Sequence, residues 1–295
     1  MGIYRLRRLV GSMIKMTINA SKWWAMERKN KIGLVICVTL FCSGFAIHGN
    51  VGLYFNLVGL LIVVGGTFGA TLICFRAKRL IIVYKVLLSC YRKRVKEPEE
   101  IVEILVDLAV KSKFRGILCL EEDEKETSIL FLRGALGLLV DAYPAPQIRD
   151  FLNTEMHFFR IRRQKSERVL RTMAQICPSF GLVGSVVGLI SMLVGVGDTS
   201  VILATVPVAL TSTLYGVILA NFFFLPFAAS IRERTDQELL LQKIVTEGVL
   251  AIESEVNPRI LEKKLKSFLT PSARQGRLVS LKRIQEKFSI KPEPA

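Results

Sequence analysis

Four hydroxyl side chains in two long apolar runs are the residues whose type and spacing best suit chemistry: Ser185, Thr211, Ser212 and Thr213. Hydroxyl oxygens can stand in for part of a cation's hydration shell, as backbone carbonyls do in selectivity filters. The competing use of each is a hydrogen bond back to a carbonyl of its own helix. Two prolines, Pro178 and Pro226, fall in the same runs, where a missing N–H and a bulky ring kink a helix statically or supply a hinge. What the runs lack is equally informative. Residues 32–75 contain no Asp, Glu, Lys or Arg, and residues 172–231 contain only Asp198. A proton or cation relay through a bilayer ordinarily needs an ionisable side chain facing a cavity. If this chain takes part in ion conduction, a companion helix must supply the carboxylate.

The elements that carry these residues follow from hydropathy and charge. The chain has 295 residues, 51% of them hydrophobic, with a mean hydropathy of +0.41. A membrane span needs about 20 apolar residues. Each charge-poor stretch therefore holds two spans and a short turn: about 32–47 and 54–75 in the first, about 174–196 and 203–229 in the second. All 41 Lys and Arg residues lie in 1–31, 76–171 and 232–295. Basic flanks stay on the cytoplasmic side. The fold expected is thus an all-α membrane protein of four transmembrane helices, with a large helical cytoplasmic loop and both termini cytoplasmic. Its segments are a basic N-terminal piece (1–31), a hairpin (32–75), a cytoplasmic helical domain (76–171), a second hairpin (172–231) and a C-terminal helix and tail (232–295). The net charge of +16 is accounted for by this topology, with basic residues such as Arg5, Arg7 and Arg8 suited to an anionic lipid surface. Nucleic-acid binding is not indicated.

Smaller signals refine the picture. The 31-residue leader is followed by no A-x-A site, so the first apolar run reads as a retained span, with Trp23 and Trp24 at interface depth. The run 129–140 is too short for a span and holds Arg133. A helix is expected to begin near Pro146 and run into the third span. Gly65, Gly66, Gly69 and Ala70, and Gly181, Gly184 and Gly188, form small-residue faces that let helix backbones approach. The six cysteines form neither a CxxC nor a Cys/His pattern, so no metal site or disulfide framework is expected. No cofactor is indicated. No nucleophile–base pair or phosphate loop points to an enzyme.

Six stretches carry a resemblance: GLLIVVGGTFGATLI (59–73), GILCLE (116–121), FLRGALGLLVD (131–141), PSFGLVGSVVGLISML (178–193), VALTSTLYGVILANFFFLPFA (208–228) and EGVLAIESEVNPRILEKKLKSFL (247–269). In this order, covering most of residues 55–270, they resemble the flagellar motor stator A-subunits of the MotA/PomA type, within the MotA/TolQ/ExbB proton-channel superfamily. The resemblance implies a bacterial inner-membrane protein that couples H⁺ or Na⁺ flow to torque on a rotor. It implies a ring, five-fold by the family pattern, around a single-span B-subunit that carries the membrane Asp, and contact with a rotor switch-complex protein. It further implies roles for Ser185 and Thr213 on the ion pathway, and for Pro178 and Pro226 in conformational coupling. Lys113, Arg115 and Glu121 would contact the rotor, Lys113 standing where the family has arginine. Thr213 matches a threonine of sodium-type members, and Ser185 keeps the hydroxyl of another. The choice between H⁺ and Na⁺ stays open. Three departures stand out: the long basic leader, Pro207, and Asp141-Ala142 in place of the common Asp-Gly. They leave room for a specialised paralogue, or for a stator-like unit that drives something other than a flagellum. The alternatives are an ExbB/TolQ-like energiser of another envelope machine, against which the extra N-terminal hairpin argues, and a non-conducting membrane scaffold.

Overall fold

The computed structural model describes residues 54–92, 96–194 and 199–271, together with 36, 39–41, 43, 44 and 274. The basic leader, most of the expected first span, the turn near 48–50 and the chain beyond 274 lie outside those residues. Among the described residues all regular structure is helical. In chain order the helices are α1 (Leu57–Cys74), α2 (Ala77–Arg92), α3 (Pro98–Arg115), a 3₁₀ turn (Ile117–Leu120), α4 (Glu121–Glu126), α5 (Leu130–Val140) and α6 (Ala145–Val194). They continue with α7 (Thr199–Ile218), a π turn (Leu219–Phe224), α8 (Leu225–Glu253) and α9 (Pro258–Lys266).

Among the described residues three helices are long and apolar enough to cross a bilayer: α1, the C-terminal part of α6, and the N-terminal part of the continuous run Ser200–Glu253. Their surfaces are apolar on the outside. Ile73 is 88% exposed, Leu203 71% and Leu210 69%, which suits lipid and not water. The expected helix near Pro146 is α6, which is 50 residues long and continues past Pro178. The run 129–140 is the 11-residue helix α5, too short to span a bilayer, which buries Leu132, Ala135, Leu136 and Leu139.

By contacts the chain divides into two units, Met1–Leu60 with Gly184–Ser212, and Leu61–Val183 with Thr213–Ala295. The second unit contains the main core. Ile101 and Leu105 of α3, Leu132 and Leu136 of α5, Ile148 and Leu152 of α6, Ile244 and Val249 of α8, and Leu261 and Leu265 of α9 pack together there. The 3.6-residue period of α3 selects which of its residues enter: Ile101, Val102, Leu105, Leu108 and Ala109 are buried. Polar straps join the helices around it. Both carboxylate oxygens of Glu238 accept from the Arg163 guanidinium at 3.2 Å, and Arg163 also stacks over Phe159 at 5.2 Å. Glu247 accepts from Lys264 at 2.6 Å and pairs with Lys243 at 3.1 Å. These bonds hold its carboxyl below the usual range against the opposing effect of burial. The start of α9 is written in its sequence: Pro258 occupies the first turn and Asn257 Oδ1 accepts from the Arg259 N–H at 3.0 Å, the ordinary use of Asn as an N-cap.

Two helix ends use a left-handed residue that is not glycine. At the end of α5 the N–H of Tyr143 donates to Leu138 O and that of Ala142 to Leu139 O, both at 3.1 Å. This is a Schellman closure, and Ala142 takes φ +58°. Glu255 ends α8 the same way, at φ +50°. A Cβ in this conformation is strained, whereas glycine adopts it freely. Ala142→Gly should therefore stabilise the chain by about 1 kcal/mol, raising its apparent Tm in detergent by roughly 2 °C. A lowered Tm would mean that the Ala142 methyl is held by contacts worth more than the strain.

Candidate functional site: the paired helices and the charged turn

The close contacts of α6 with α7 come from small residues. A Cβ on Gly188 would lie 2.8 Å from Ala209 N, and one on Gly216 would lie 2.9 Å from Cys177 O and 3.1 Å from the Cα atoms of Gly181 and Pro178. Gly181, Gly184 and Gly188 are all buried, as their spacing leads one to expect. In α1 the expectation fails in part. Of the three glycines expected to form its face, Gly65 and Gly69 meet open space and Gly66 makes a close approach, to the Phe180 ring. The buried line of α1 is instead Gly59, Val63, Thr67 and Thr71, spaced by four. Thr67 and Thr71 were passed over in the sequence because a buried threonine that bonds to its own helix leaves no charge or motif. Each donates back four residues, to Val63 O and Thr67 O, at 2.6 Å.

Of the four hydroxyls singled out in the sequence, two reach a carbonyl of the neighbouring helix. Thr211 and Ser212 donate to Pro207 O and Val208 O of their own helix, at 2.6 Å, and are buried. Ser185 and Thr213 also reach across to the other helix. Ser185 Oγ donates to Ala209 O at 2.5 Å, and Thr213 Oγ1 to Gly181 O at 3.5 Å. Both are half-buried. Each has a rotatable O–H and oxygen lone pairs beside a backbone carbonyl of the other helix. Such a hydroxyl can offer its oxygen to a cation by turning its proton away. No Asp, Glu, Lys or Arg occurs in α1, in 172–194 or in 199–231.

The two prolines sit differently. Pro178 lies inside α6, so Ala174 O lacks its helical donor. Pro226 opens α8 directly after the π turn. Widening the turn relieves the clash between a proline ring and the carbonyl four residues earlier. Asn221 lies in that turn, and its side-chain amide donates to Val217 O at 2.9 Å. The sequence marked the proline and missed the asparagine.

The charged residues Lys113, Arg115 and Glu121 lie on a turn. Lys113 and Arg115 end α3, Gly116 takes φ +82°, a 3₁₀ turn follows, and Glu121 begins α4. All three side chains are exposed. Glu121 accepts from Lys125 at 2.7 Å, and that bond holds its carboxyl below the usual range. Lys113 and Arg115 form no ion pair among the described residues. Lys111 anchors the turn from within, donating to Asp123 at 2.5 Å. Burial pulls its ammonium down, yet the Asp123 bond and the negative charges of Asp123 and Glu122 together leave it raised. Between the charges stand Phe114, 59% exposed, and Leu118, 75% exposed. Reading only charges overlooked them, though two large apolar residues on a polar turn are a contact signal in themselves.

Charge-free helices that pack through glycines and hydroxyls, in a chain that also carries a charged helical domain, define a polytopic helical membrane protein. Residues 123–243 match the model of the MotA/TolQ/ExbB proton channel family. The chemotaxis protein PomA of Vibrio alginolyticus is 30% identical over 249 residues, 84% of this chain and 98% of that one. Motility protein A of Borreliella burgdorferi is 32% identical over 228 residues, 76% of this chain and 86% of that one. Among solved structures, C. jejuni MotAB aligns with a TM-score of 0.77 at 25% identity, covering 85% of this chain and 97% of that one. The flagellar MotAB stator complex of Bacillus subtilis aligns at 0.76, also at 25% identity, covering 82% and 96%. The chain belongs to the MotA/TolQ/ExbB proton channel family, on the side of the motility proteins.

Proposed function

We propose that the chain is the A-subunit of an ion-driven flagellar stator, sited in the bacterial inner membrane with its polar helical domain and both termini in the cytoplasm. The observation that carries the reading is the pairing of charge-free spans with two hydroxyls, Ser185 and Thr213, that bond across the helix pair. A bundle with no Asp, Glu, Lys or Arg in these helices needs a companion helix for its ion-carrying carboxylate. The similarity to MotAB complexes supports such a partner, a single-span B-subunit with a membrane Asp, and a ring of A-subunits, which we take as five. Ions, H⁺ or Na⁺, pass beside Ser185 and Thr213. Pro178 and Pro226 bend the helices as the ion binds and leaves, and the turn bearing Lys113, Arg115 and Glu121 presses on the rotor switch-complex protein. The reaction is transport coupled to movement, with no cofactor.

The test is to express the chain with its B-subunit in a host whose own stators are deleted. Swimming speed is then recorded against external sodium at fixed pH, with and without a protonophore. Restored swimming that follows one ion is the expected result, and Thr213→Ala should shift that speed–ion curve to higher ion concentration by several-fold. No restoration despite normal membrane levels of both subunits would overturn the stator reading. An unshifted curve would remove Thr213 from the pathway. Glu121→Lys should at least halve the torque, since it presents a like charge where an acid is needed, and a charge reversal on the rotor should recover part of it. Unchanged torque in Glu121→Lys would leave Glu121 a solvated residue of α4.

A further inference from the structure

A groove of about 370 Å³ lies between α6 and α8, lined by Arg160, Glu167, Arg168 and Arg171 from one helix and Arg232 and Asp236 from the other. All six belong to the second compact unit. Glu167 accepts from Arg171 at 2.8 Å, so that pair is neutral. Arg160, Arg168 and Arg232 form no ion pair among the described residues and are exposed. Asp236 alone offsets them, which leaves the groove with two positive charges in excess.

Its level relative to the bilayer is set by the chain itself. Arg171 and Arg232 are the charged residues that bound the apolar stretch 172–231. The polar headgroup layer is about 5–8 Å deep on each side of the hydrocarbon. Arg168 is one helical turn, about 5 Å, from Arg171. Arg168, Arg171 and Arg232 therefore stand at headgroup depth, and Arg160, about 16 Å along α6 from Arg171, extends the groove into water. Planar guanidinium groups match phosphate oxygens in bidentate fashion, and basic pockets between membrane helices hold anionic headgroups. We infer that the groove binds the phosphodiester headgroup of an anionic membrane lipid, with Arg168 and Arg232 as its principal contacts. This goes beyond the stator reading and needs only that residues 172–231 lie in a bilayer, so swimming and lipid binding can fail independently.

The test is native mass spectrometry of the full chain in detergent, titrated with phosphatidylglycerol and, separately, with phosphatidylcholine. Phosphatidylglycerol should bind at least ten-fold more tightly. A basic residue near an anionic surface is worth roughly a five-fold change in affinity, so R168Q/R232Q should weaken phosphatidylglycerol binding by about 25-fold. The double variant R149Q/R259Q, which removes two exposed arginines elsewhere, should leave it unchanged. Because Arg168 and Arg232 hold no partner, their loss should not alter folding, and an unchanged Tm checks this. Equal binding of the two lipids, or equal weakening in both double variants, would overturn the assignment. So would displacement of the lipid by glycerol 3-phosphate at matching concentration, which would make the ligand a soluble phosphate.

Discussion

Gly216→Val should leave little folded chain in the membrane, and what survives should unfold at a much lower temperature than the parent. The added Cβ would sit 2.9 Å from Cys177 O and 3.1 Å from the Cα atoms of Pro178 and Gly181. These are backbone atoms, which cannot swing aside as the end of a side chain can. Relief requires α6 and α7 to separate, and that loses the contacts along their small-residue seam, which hold helices together in lipid. Overpacking a tight core costs about 1–3 kcal/mol and sometimes more, and a clash with backbone belongs at the upper end. Gly216→Ala should show the same defect in milder form. Gly65→Ala, in the comparable glycine-rich run of α1, meets nothing within 4 Å and should be neutral or slightly stabilising, since alanine favours a helix by up to about 1 kcal/mol. Thermal unfolding of the three variants in one detergent decides the matter. Equal effects from Gly65 and Gly216 would show that these substitutions act through helix propensity and not through contact.

Pro178→Ala should abolish swimming while raising, or at least preserving, the stability of the chain. Alanine restores the N–H that Ala174 O lacks and removes a ring that opposes regular helix, a relief of up to about 3 kcal/mol. If the helix must bend at 178 for ion binding to become movement, a firmer helix is a worse motor. Opposite changes in stability and in function distinguish a coupling role from a structural one. They are read by comparing Tm and membrane abundance with swimming in the same strain. Swimming at the parental rate would dismiss the hinge; lost swimming with lowered Tm would reduce Pro178 to a packing residue.

Much of the fold was legible because membrane solvation acts on composition. The charge-free blocks located α1 and the apolar halves of α6 and of the run through α7 and α8, and the helix expected near Pro146 is α6. Arg133 and an 11-residue length kept α5 out of the bilayer, and the structure buries it in the polar domain. Rotation about each helix axis was less legible. Successive residues differ by about 100°, so four neighbouring hydroxyls cannot all share one role, and only packing shows that Ser185 and Thr213 bridge while Thr211 and Ser212 bond within their helix. The same limit misplaced the contact face of α1 at Gly65 and Gly69, where glycine content drew attention from the four-residue line through Val63, Thr67 and Thr71. The π turn before Pro226 has no sequence marker beyond the proline itself.

Within the second unit α6 runs from Ala145, close to where Ile148 and Leu152 enter the core, to Pro178 as one helix. That segment is about 50 Å long at 1.5 Å per residue, so tilting it by 5° about one end would carry the other through roughly 4 Å by simple geometry. A lever of this length would turn a small change of angle at the proline into travel of side-chain length at the opposite end, with stiffness supplied by the backbone hydrogen bonds that precede the one Pro178 lacks.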